Sequence, residues 1–163
     1  MQLKVGFLTI GQSPRTDIVK DVREILSKNI KIVEKGVLDE LDQNAIAKNL
    51  APEPTHTIYV SRLRNGSQVA ISKEKILPLM QRTISKLEEE EVDLIVILCS
   101  GEFPMFKSNV PIMYPDRLLK SYVQAFDVKG SLGVLIPLPE QVEYAMLKWR
   151  KYSKEVLVVP VSP

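Results

Sequence analysis

The chain has 163 residues and a nearly balanced charge, with 22 Lys plus Arg against 20 Asp plus Glu. A formal net charge of +2 provides no basic field that would favour nucleic acid or an anionic membrane as a partner. Hydrophobic residues make up 45% of the chain and charged residues 26%, which excludes a disordered or fibrous protein. The length by itself predicts one domain of ordinary size.

The cysteine content and the apolar runs bear on location. One cysteine, Cys99, excludes an internal disulfide framework and favours a reducing compartment. The longest wholly apolar run, residues 94–99, is far shorter than the roughly 18 residues that a membrane span needs. The first residues lack the basic region and cleavage site of a signal peptide. We therefore expect a cytoplasmic, globular protein that does not associate with membranes.

The beginning of the chain has the pattern of strand, helix and strand. Residues 5–10 form a short, continuous apolar run, which is typical of a buried strand. Ser13 suits the N-cap of the following helix and Pro14 its first position. A second strand is expected over residues 30–37. The apolar stripe of the helix between these strands is expected to be buried and consists of Ile18, Val22 and Ile25.

A β-hairpin is the clearest local prediction in the middle of the chain. A short helix over residues 45–50 ends before two prolines. Two alternating runs, residues 57–63 and 67–72, then flank Asn65-Gly66. Asn-Gly between alternating runs predicts a hairpin with a type I′ turn, in which both central residues have positive φ.

The next stretch predicts a long helix followed by the most apolar strand. The helical stripe runs from residue 76 to residue 87, and Pro78 marks either a kink or the true start of the helix. Residues 88–91 are an acidic run that we expect to be solvated surface, because negative charge at a helix C-terminus opposes the helix dipole. Residues 93–99 predict a strand in the centre of a sheet.

The end of the chain continues the alternation of strands and helices. We expect an extended segment over residues 110–114, strands over 133–137 and 156–161, and helices that begin at Pro115 and Pro139. The residues expected on the buried side of the helix at Pro115 are Leu118, Leu119, Tyr122, Val123 and Phe126.

Strand–helix alternation predicts an α/β fold with a mainly parallel sheet flanked by helices and a β-hairpin insertion near residues 57–72. Ligands of such sheets bind beyond the carboxyl ends of the strands. The strand-to-helix junctions are therefore the places to look for a binding site.

The first junction spans Thr9 to Arg15 and includes Gly11, Gln12 and Ser13. Glycine allows close backbone approach, and free N–H groups at a helix start attract an anion. A cation at a helix N-terminus opposes the dipole, so Arg15 suggests a bidentate grip on a carboxylate. The alternative is that this segment is only a turn and a cap, with Arg15 reaching into solvent.

The second junction holds Cys99, Ser100, Gly101 and Glu102. A thiol at the end of the most apolar strand, just before a glycine loop, suits a nucleophile or a proton-transfer group. The alternative is that Cys99 packs as a small hydrophobe, as free cysteines often do. Glu102 is a base, a charge partner of Arg15 or a surface residue.

The third junction, at Gln141, offers a possible hydrogen bond to a ligand or is simply a rigid turn between prolines. His56 has no second ligand at metal spacing, so no metal site is expected. The glycines match neither the dinucleotide fingerprint nor the P-loop, so no cofactor is expected.

Five segments, in order along the chain, resemble the AroM family. The segments are Leu8 to Arg15 with Asp17, Gly36 to Asp39, Leu63 to Gly66, Leu98 to Pro104, and Ile136-Pro137 with Gln141 and Lys148-Trp149. That family is in turn similar to the aspartate/glutamate racemase superfamily, in which the ligand lies between two α/β lobes. The resemblance implies that Cys99 occupies the position of the first-lobe acid–base cysteine, although the sequence there is Cys99-Ser100-Gly101 and not the usual Cys-Asn-Thr.

The resemblance also implies a longer chain with a second cysteine, which is absent here. We therefore expect a first lobe over residues 1–126 and the start of an incomplete second lobe over residues 127–163. An uncovered last strand would leave apolar surface that a homo-oligomer would cover. Two-thiol racemisation cannot run on this chain as given.

The function expected from the sequence is the binding of a small carboxylate-bearing molecule, with or without turnover. The candidate catalytic residue is Cys99. The candidate substrate-binding residues are Thr9, Gly11, Gln12, Ser13, Arg15, Ser100, Gly101, Glu102 and Gln141. The alternatives are a non-catalytic sensor and an inactive truncated lobe.

Overall fold

The computed structural model describes residues 2–127 and 129–161. The strands are β1 (Leu3–Thr9), β2 (Ile30–Gly36), β3 (Ile58–Arg62), β4 (Gln68–Ser72), β5 (Leu94–Ile97), β6 (Ile112–Met113), β7 (Leu132–Ile136) and β8 (Val156–Pro160). The α-helices are α1 (Thr16–Ile25), α2 (Gln43–Leu50), α3 (Lys73–Glu89), α4 (Pro115–Gln124) and α5 (Val142–Trp149), and a short 3-10 turn covers Pro139–Gln141. The contacts divide the chain into two compact units, residues 1–115 and 116–163, and we describe each by itself.

A four-stranded parallel sheet forms the centre of the first unit. Its strand order is β2-β1-β5-β6, and every neighbouring pair is parallel. The predicted α/β fold with a mainly parallel sheet is confirmed, as is the interior place of β5, which lies between β1 and β6. The burial of β5 follows from its sequence, because a parallel strand covered on both faces needs apolar residues on both.

The hairpin is confirmed, but its turn differs from the predicted type. β3 and β4 pair antiparallel, with Tyr59 opposite Ile71. Gly66 has a φ of 83°, whereas Asn65 is not among the described residues with positive φ, so the turn is not type I′. The Gly66 N–H donates to the Leu63 carbonyl, a tight turn with glycine at the left-handed position. The Asn65 side chain instead accepts a hydrogen bond from the Ser67 N–H.

Helix α3 provides most of the packing on one side of the sheet. It begins after Ser72, whose hydroxyl accepts the Lys75 N–H, so Pro78 lies inside the helix and does not mark its start. The buried face carries Ile76, Met80, Ile84 and Leu87, all with no exposed surface. These residues belong to one core cluster with Leu8, Leu38, Ile71 and Ile95.

The acidic run after α3 does more than face solvent. The Glu88 carboxylate accepts hydrogen bonds from Ser108 and Asn109. The Glu90 carboxylate pairs with Lys35 at 2.8 Å, and the hydrogen bond from Lys35 lowers the pKa of Glu90. The expected solvated surface is therefore also a set of contacts to neighbouring segments.

The start of α1 differs from the prediction. The helix begins at Thr16, and the Ser13–Pro14 peptide bond before it is cis. Ser13 is not the N-cap, because its hydroxyl and its N–H both bind the carboxylate of Asp39 at 2.7 Å. The predicted stripe is also displaced: Val19 is buried, whereas Ile25 at the end of the helix is 84% exposed.

The second unit contains the parallel pair β7–β8 and two helices. The predicted buried side of α4 is wrong, because Leu118, Leu119, Tyr122 and Phe126 are all exposed. The buried residue of that helix is Asp116, which forms ion pairs with Lys120 and Lys148. These ion pairs place the polar side of α4 inward. Apolar side chains also remain exposed on β7 and β8, namely Leu135, Leu157 and Val159.

Candidate functional site

The first two junctions lie side by side at the carboxyl ends of β1 and β5, although only the first leads into a helix, since β5 is followed by a loop and then by β6. Leu8 pairs with Ile97, and the Leu98 N–H donates to the Leu8 carbonyl at 2.7 Å. Since neighbouring strands lie about 4.8 Å apart, the chain leaves β1 at Thr9 and β5 at Cys99 as neighbours. The topology therefore brings together the two junctions that carry most of the candidate residues.

Arg15 is held by its side chain at the end of β1. Its Nη1 donates to the hydroxyl of Thr9 at 3.2 Å. Its Nε and Nη2 donate to the two carboxylate oxygens of Asp17 at 2.8 and 2.7 Å. The Arg15 side chain is only 12% exposed and the Thr9 residue 1% exposed. A guanidinium has five N–H bonds, so three are used by described residues and two remain for another acceptor.

Two carboxylates, those of Asp17 and Glu34, lie beside Arg15. The hydrogen bond from Arg15 lowers the pKa of Asp17, against a smaller opposing effect of burial, and the charge of Arg62 lowers it further. The Arg15 N–H donates to the carboxylate of Glu34 at 2.8 Å. The Glu34 carboxylate therefore occupies the backbone N–H of Arg15. The donors of Arg15 that remain for a ligand are the two side-chain N–H bonds not used by Thr9 and Asp17.

Gln12 and Ser13 were expected to donate to a ligand, and the structure shows their donors engaged within the protein. The Gln12 amide nitrogen donates to the carbonyls of Leu38 and Leu41. The Gln12 backbone N–H donates to the Arg62 carbonyl, and the amide oxygen accepts the Arg64 N–H. Gln12 thus ties the first junction to two other segments of the unit.

Asp39 is the centre of a second set of bonds that the sequence did not predict. Its carboxylate accepts the N–H of Ser13, the hydroxyl of Ser13, the N–H of Gly36 and the guanidinium of Arg64. Arg64 also donates through Nε to the Ser13 carbonyl at 2.6 Å. Asp39 lies 26 residues from Ser13, and nothing local in either segment indicates that they pair.

Strand β3 of the hairpin forms a wall against the first junction. An ideal Cβ built on Gly11 would lie 2.3 Å from the Arg62 carbonyl oxygen and 2.3 Å from the Ser61 hydroxyl oxygen. Real Cβ contacts are never this short, so only glycine fits at position 11 with β3 this close. The Gly11 N–H in turn donates to the Thr9 hydroxyl at 3.2 Å.

The same strand contacts the second junction. An ideal Cβ on Gly101 would lie 2.6 Å from the ring of Tyr59, and the Tyr59 hydroxyl donates to the Glu102 carbonyl at 2.9 Å. Tyr59 and Ser61 are two residues apart and therefore on one face of β3. One strand face thus touches both junctions, at Gly101 through Tyr59 and at Gly11 through Ser61.

Cys99 lies two residues beyond the end of β5, half-buried and outside any disulfide. Its sulfur accepts the Gly101 N–H at 3.4 Å, and its side chain packs against the main core cluster. Ser100 beside it is exposed. Both interpretations of the thiol, as a reactive group and as a packing group, have a contact in their favour.

The third junction lies in the second unit. The Gln141 side-chain oxygen accepts the Leu138 N–H at 3.3 Å and so closes the 3-10 turn. His56 accepts the Glu53 N–H through Nδ1. No group of three potential metal-ligating side chains occurs among residues 2–127 and 129–161. Over the same residues, no helix is long and apolar enough to cross a membrane.

Ser61, Asp39 and Arg64 are not among the site residues predicted from the sequence. The alternation of the β3 run signals that Ser61 faces inward, because Tyr59 and Leu63 on either side of it are apolar. A buried serine in that pattern was the available signal. No local sequence signal indicates that Asp39 pairs with the first junction.

Comparison with known proteins supports a family assignment. The family model described as AroM protein matches residues 5–163. No curated protein and no solved structure matches the sequence.

Proposed function

The chain belongs to the AroM protein family, and we propose that it binds a small carboxylate-bearing molecule at the carboxyl ends of β1 and β5. The observation that carries this proposal is the guanidinium of Arg15. It is largely buried and anchored on Thr9 and Asp17, and two of its N–H bonds have no acceptor among the described residues. Two N–H bonds of one guanidinium match the two oxygens of a carboxylate, which is the strongest pairing that arginine makes.

Cys99 supplies the chemistry in this proposal. Its sulfur accepts the Gly101 N–H, and an N–H donor in this place can also hold a thiolate that forms during a reaction. A thiolate beside a bound carboxylic acid acts as a base toward the hydrogen on the neighbouring carbon, as in the racemase-like superfamily. With one cysteine in the chain, the proposal is that one thiolate removes a proton and the resulting thiol returns it, as in a one-base isomerase. In a lyase the same proton removal is followed by departure of a group from the next carbon.

A second candidate function is binding without turnover. The packing of Cys99 against the main core cluster favours it, because a thiol that fills core space needs no chemical role. The two candidates share the carboxylate site at Arg15 and differ only in what Cys99 does.

Binding is tested by titrating the protein with propionate, lactate, malate and aspartate, followed by NMR. Arg15→Gln removes the guanidinium and is expected to weaken binding by about 10- to 100-fold, the effect of losing hydrogen bonds to a charged group. The matched control is Arg23→Gln on the same helix, since Arg23 is exposed and donates to the Ile30 carbonyl. Equal affinities for both variants, or no binding by the wild type, would refute the proposal.

The role of Cys99 is tested in deuterium oxide. A thiolate base exchanges the hydrogen on carbon 2 of lactate, malate or aspartate for deuterium, and Cys99→Ser is expected to abolish this exchange while binding persists. A bound carboxylate is also expected to slow alkylation of Cys99 by iodoacetamide. Binding without any exchange by the wild type would favour the second candidate.

A further inference from the structure

The hydroxyl of Ser61 is a buried polar group without a hydrogen-bond partner among the described residues. The residue is 6% exposed and lies on the inward face of β3, against Gly11. A buried hydroxyl left unpaired is unfavourable, because it has given up its hydrogen bonds to water without replacing them. Native proteins therefore pair such groups almost without exception, with protein, water or a ligand.

The place of this hydroxyl connects it with the proposed carboxylate site. The Gly11 N–H donates to the Thr9 hydroxyl, which also holds Nη1 of Arg15. The Ser61 hydroxyl lies against the α-carbon of the same glycine. The Thr9 and Ser61 hydroxyls therefore contact the same residue, Thr9 at the nitrogen of Gly11 and Ser61 on the side where a Cβ would lie, and Thr9 in turn holds Arg15.

We propose that Ser61 hydrogen-bonds a second oxygen of the ligand, so that the site selects carboxylic acids that carry a hydroxyl or keto oxygen on the carbon next to the carboxylate. The inference rests on the proposed function, since Arg15 must hold the carboxylate. A serine hydroxyl both donates and accepts and therefore suits either oxygen. Hairpin strand β3 then becomes the wall of the site that determines specificity.

Chain packing around Gly11 supports this assignment. The carbonyl of Arg62 accepts the Gln12 N–H at 3.1 Å and fixes β3 against the first junction. A side chain at position 11 would collide with the Ser61 hydroxyl, so glycine is required for Ser61 to lie this close to the first junction. The hydroxyl has no solvent contact, so a ligand oxygen reaches it by displacing the groups that cover it.

The test compares propionate, lactate and pyruvate, which share a three-carbon chain and one carboxylate and differ only at carbon 2. The wild type is expected to bind lactate or pyruvate about 3- to 10-fold more tightly than propionate, the effect of one neutral hydrogen bond. Ser61→Ala is expected to remove this preference and leave propionate binding unchanged. Its melting temperature without ligand is expected to equal or exceed that of the wild type, because an unpaired buried hydroxyl has been removed.

Ser85→Ala is the matched control, since Ser85 is exposed on α3 and donates only to the Gln81 carbonyl. A Ser61→Ala variant that keeps the preference would overturn the inference and leave the proposed function standing. A loss of preference accompanied by a lower melting temperature would also overturn it, because Ser61 would then be structural. If none of the three acids binds the wild type, the inference and the proposed function both fail.

Discussion

Replacing Asp39 by alanine removes the carboxylate that ties the first junction to the end of β2. Four donors lose their acceptor: the N–H and hydroxyl of Ser13, the N–H of Gly36 and the guanidinium of Arg64. A hydrogen bond to a charged group contributes roughly 1.5–3 kcal/mol. The Asp39 side chain is 22% exposed, and water replaces part of the loss, so we expect the free energy of unfolding to fall by about 3–4 kcal/mol.

The assay is urea denaturation followed by far-UV circular dichroism, with hydrogen exchange of residues 11–15 as the local readout. Asp42→Ala is the control, because Asp42 caps α2 through one bond to the Ala45 N–H, and loss of such a cap costs about 1 kcal/mol. Exchange at residues 11–15 is expected to increase only in the Asp39 variant. If Asp39→Ala were no more destabilising than Asp42→Ala, the junction would not depend on this carboxylate and the reasoning would be wrong.

Two further predictions concern the same unit. Gly101→Ala brings a methyl group within 2.6 Å of the Tyr59 ring and is expected to lower stability by about 1–3 kcal/mol in thermal melts, whereas Gly133→Ala, with no atom within 4 Å, leaves it nearly unchanged. The pKa of Asp17 is lowered from 3.8 by the hydrogen bond from Arg15. Its stabilising contribution is therefore full above about pH 4 and is lost as the pH falls through the depressed folded-state pKa. The melting temperature is accordingly expected to fall less for Asp17→Asn than for the wild type between pH 5 and pH 2.5. An equal fall for both proteins would contradict this prediction.

Family membership and the fold class could be predicted from the sequence because their signals are local. Short apolar runs predict the strands of a parallel sheet, and Asn65-Gly66 between two alternating runs predicts the hairpin. The interior place of β5 follows from the apolar character of residues 94–97, whereas its pairing with β1 is known only from the structure.

The remaining features depend on contacts distant in sequence. Ser13 has the composition of an N-cap, but Asp39 binds its hydroxyl, so the helix begins at Thr16. The apolar stripe of α4 predicts burial, yet the ion pairs of Asp116 place the opposite side inward. In the candidate site, the neighbouring positions of Thr9 and Cys99 follow from the predicted sheet, whereas the role of β3 as a wall does not.

The fit of β3 against two glycines has an evolutionary consequence. At position 101 the bare α-carbon is complementary to the ring of Tyr59, and at position 11 it is complementary to Ser61. In each pair one residue is as small as possible because its partner occupies the space, so an enlargement on one side demands a reduction on the other. Across related chains, positions 59 and 101, and positions 61 and 11, are therefore expected to change together and seldom alone.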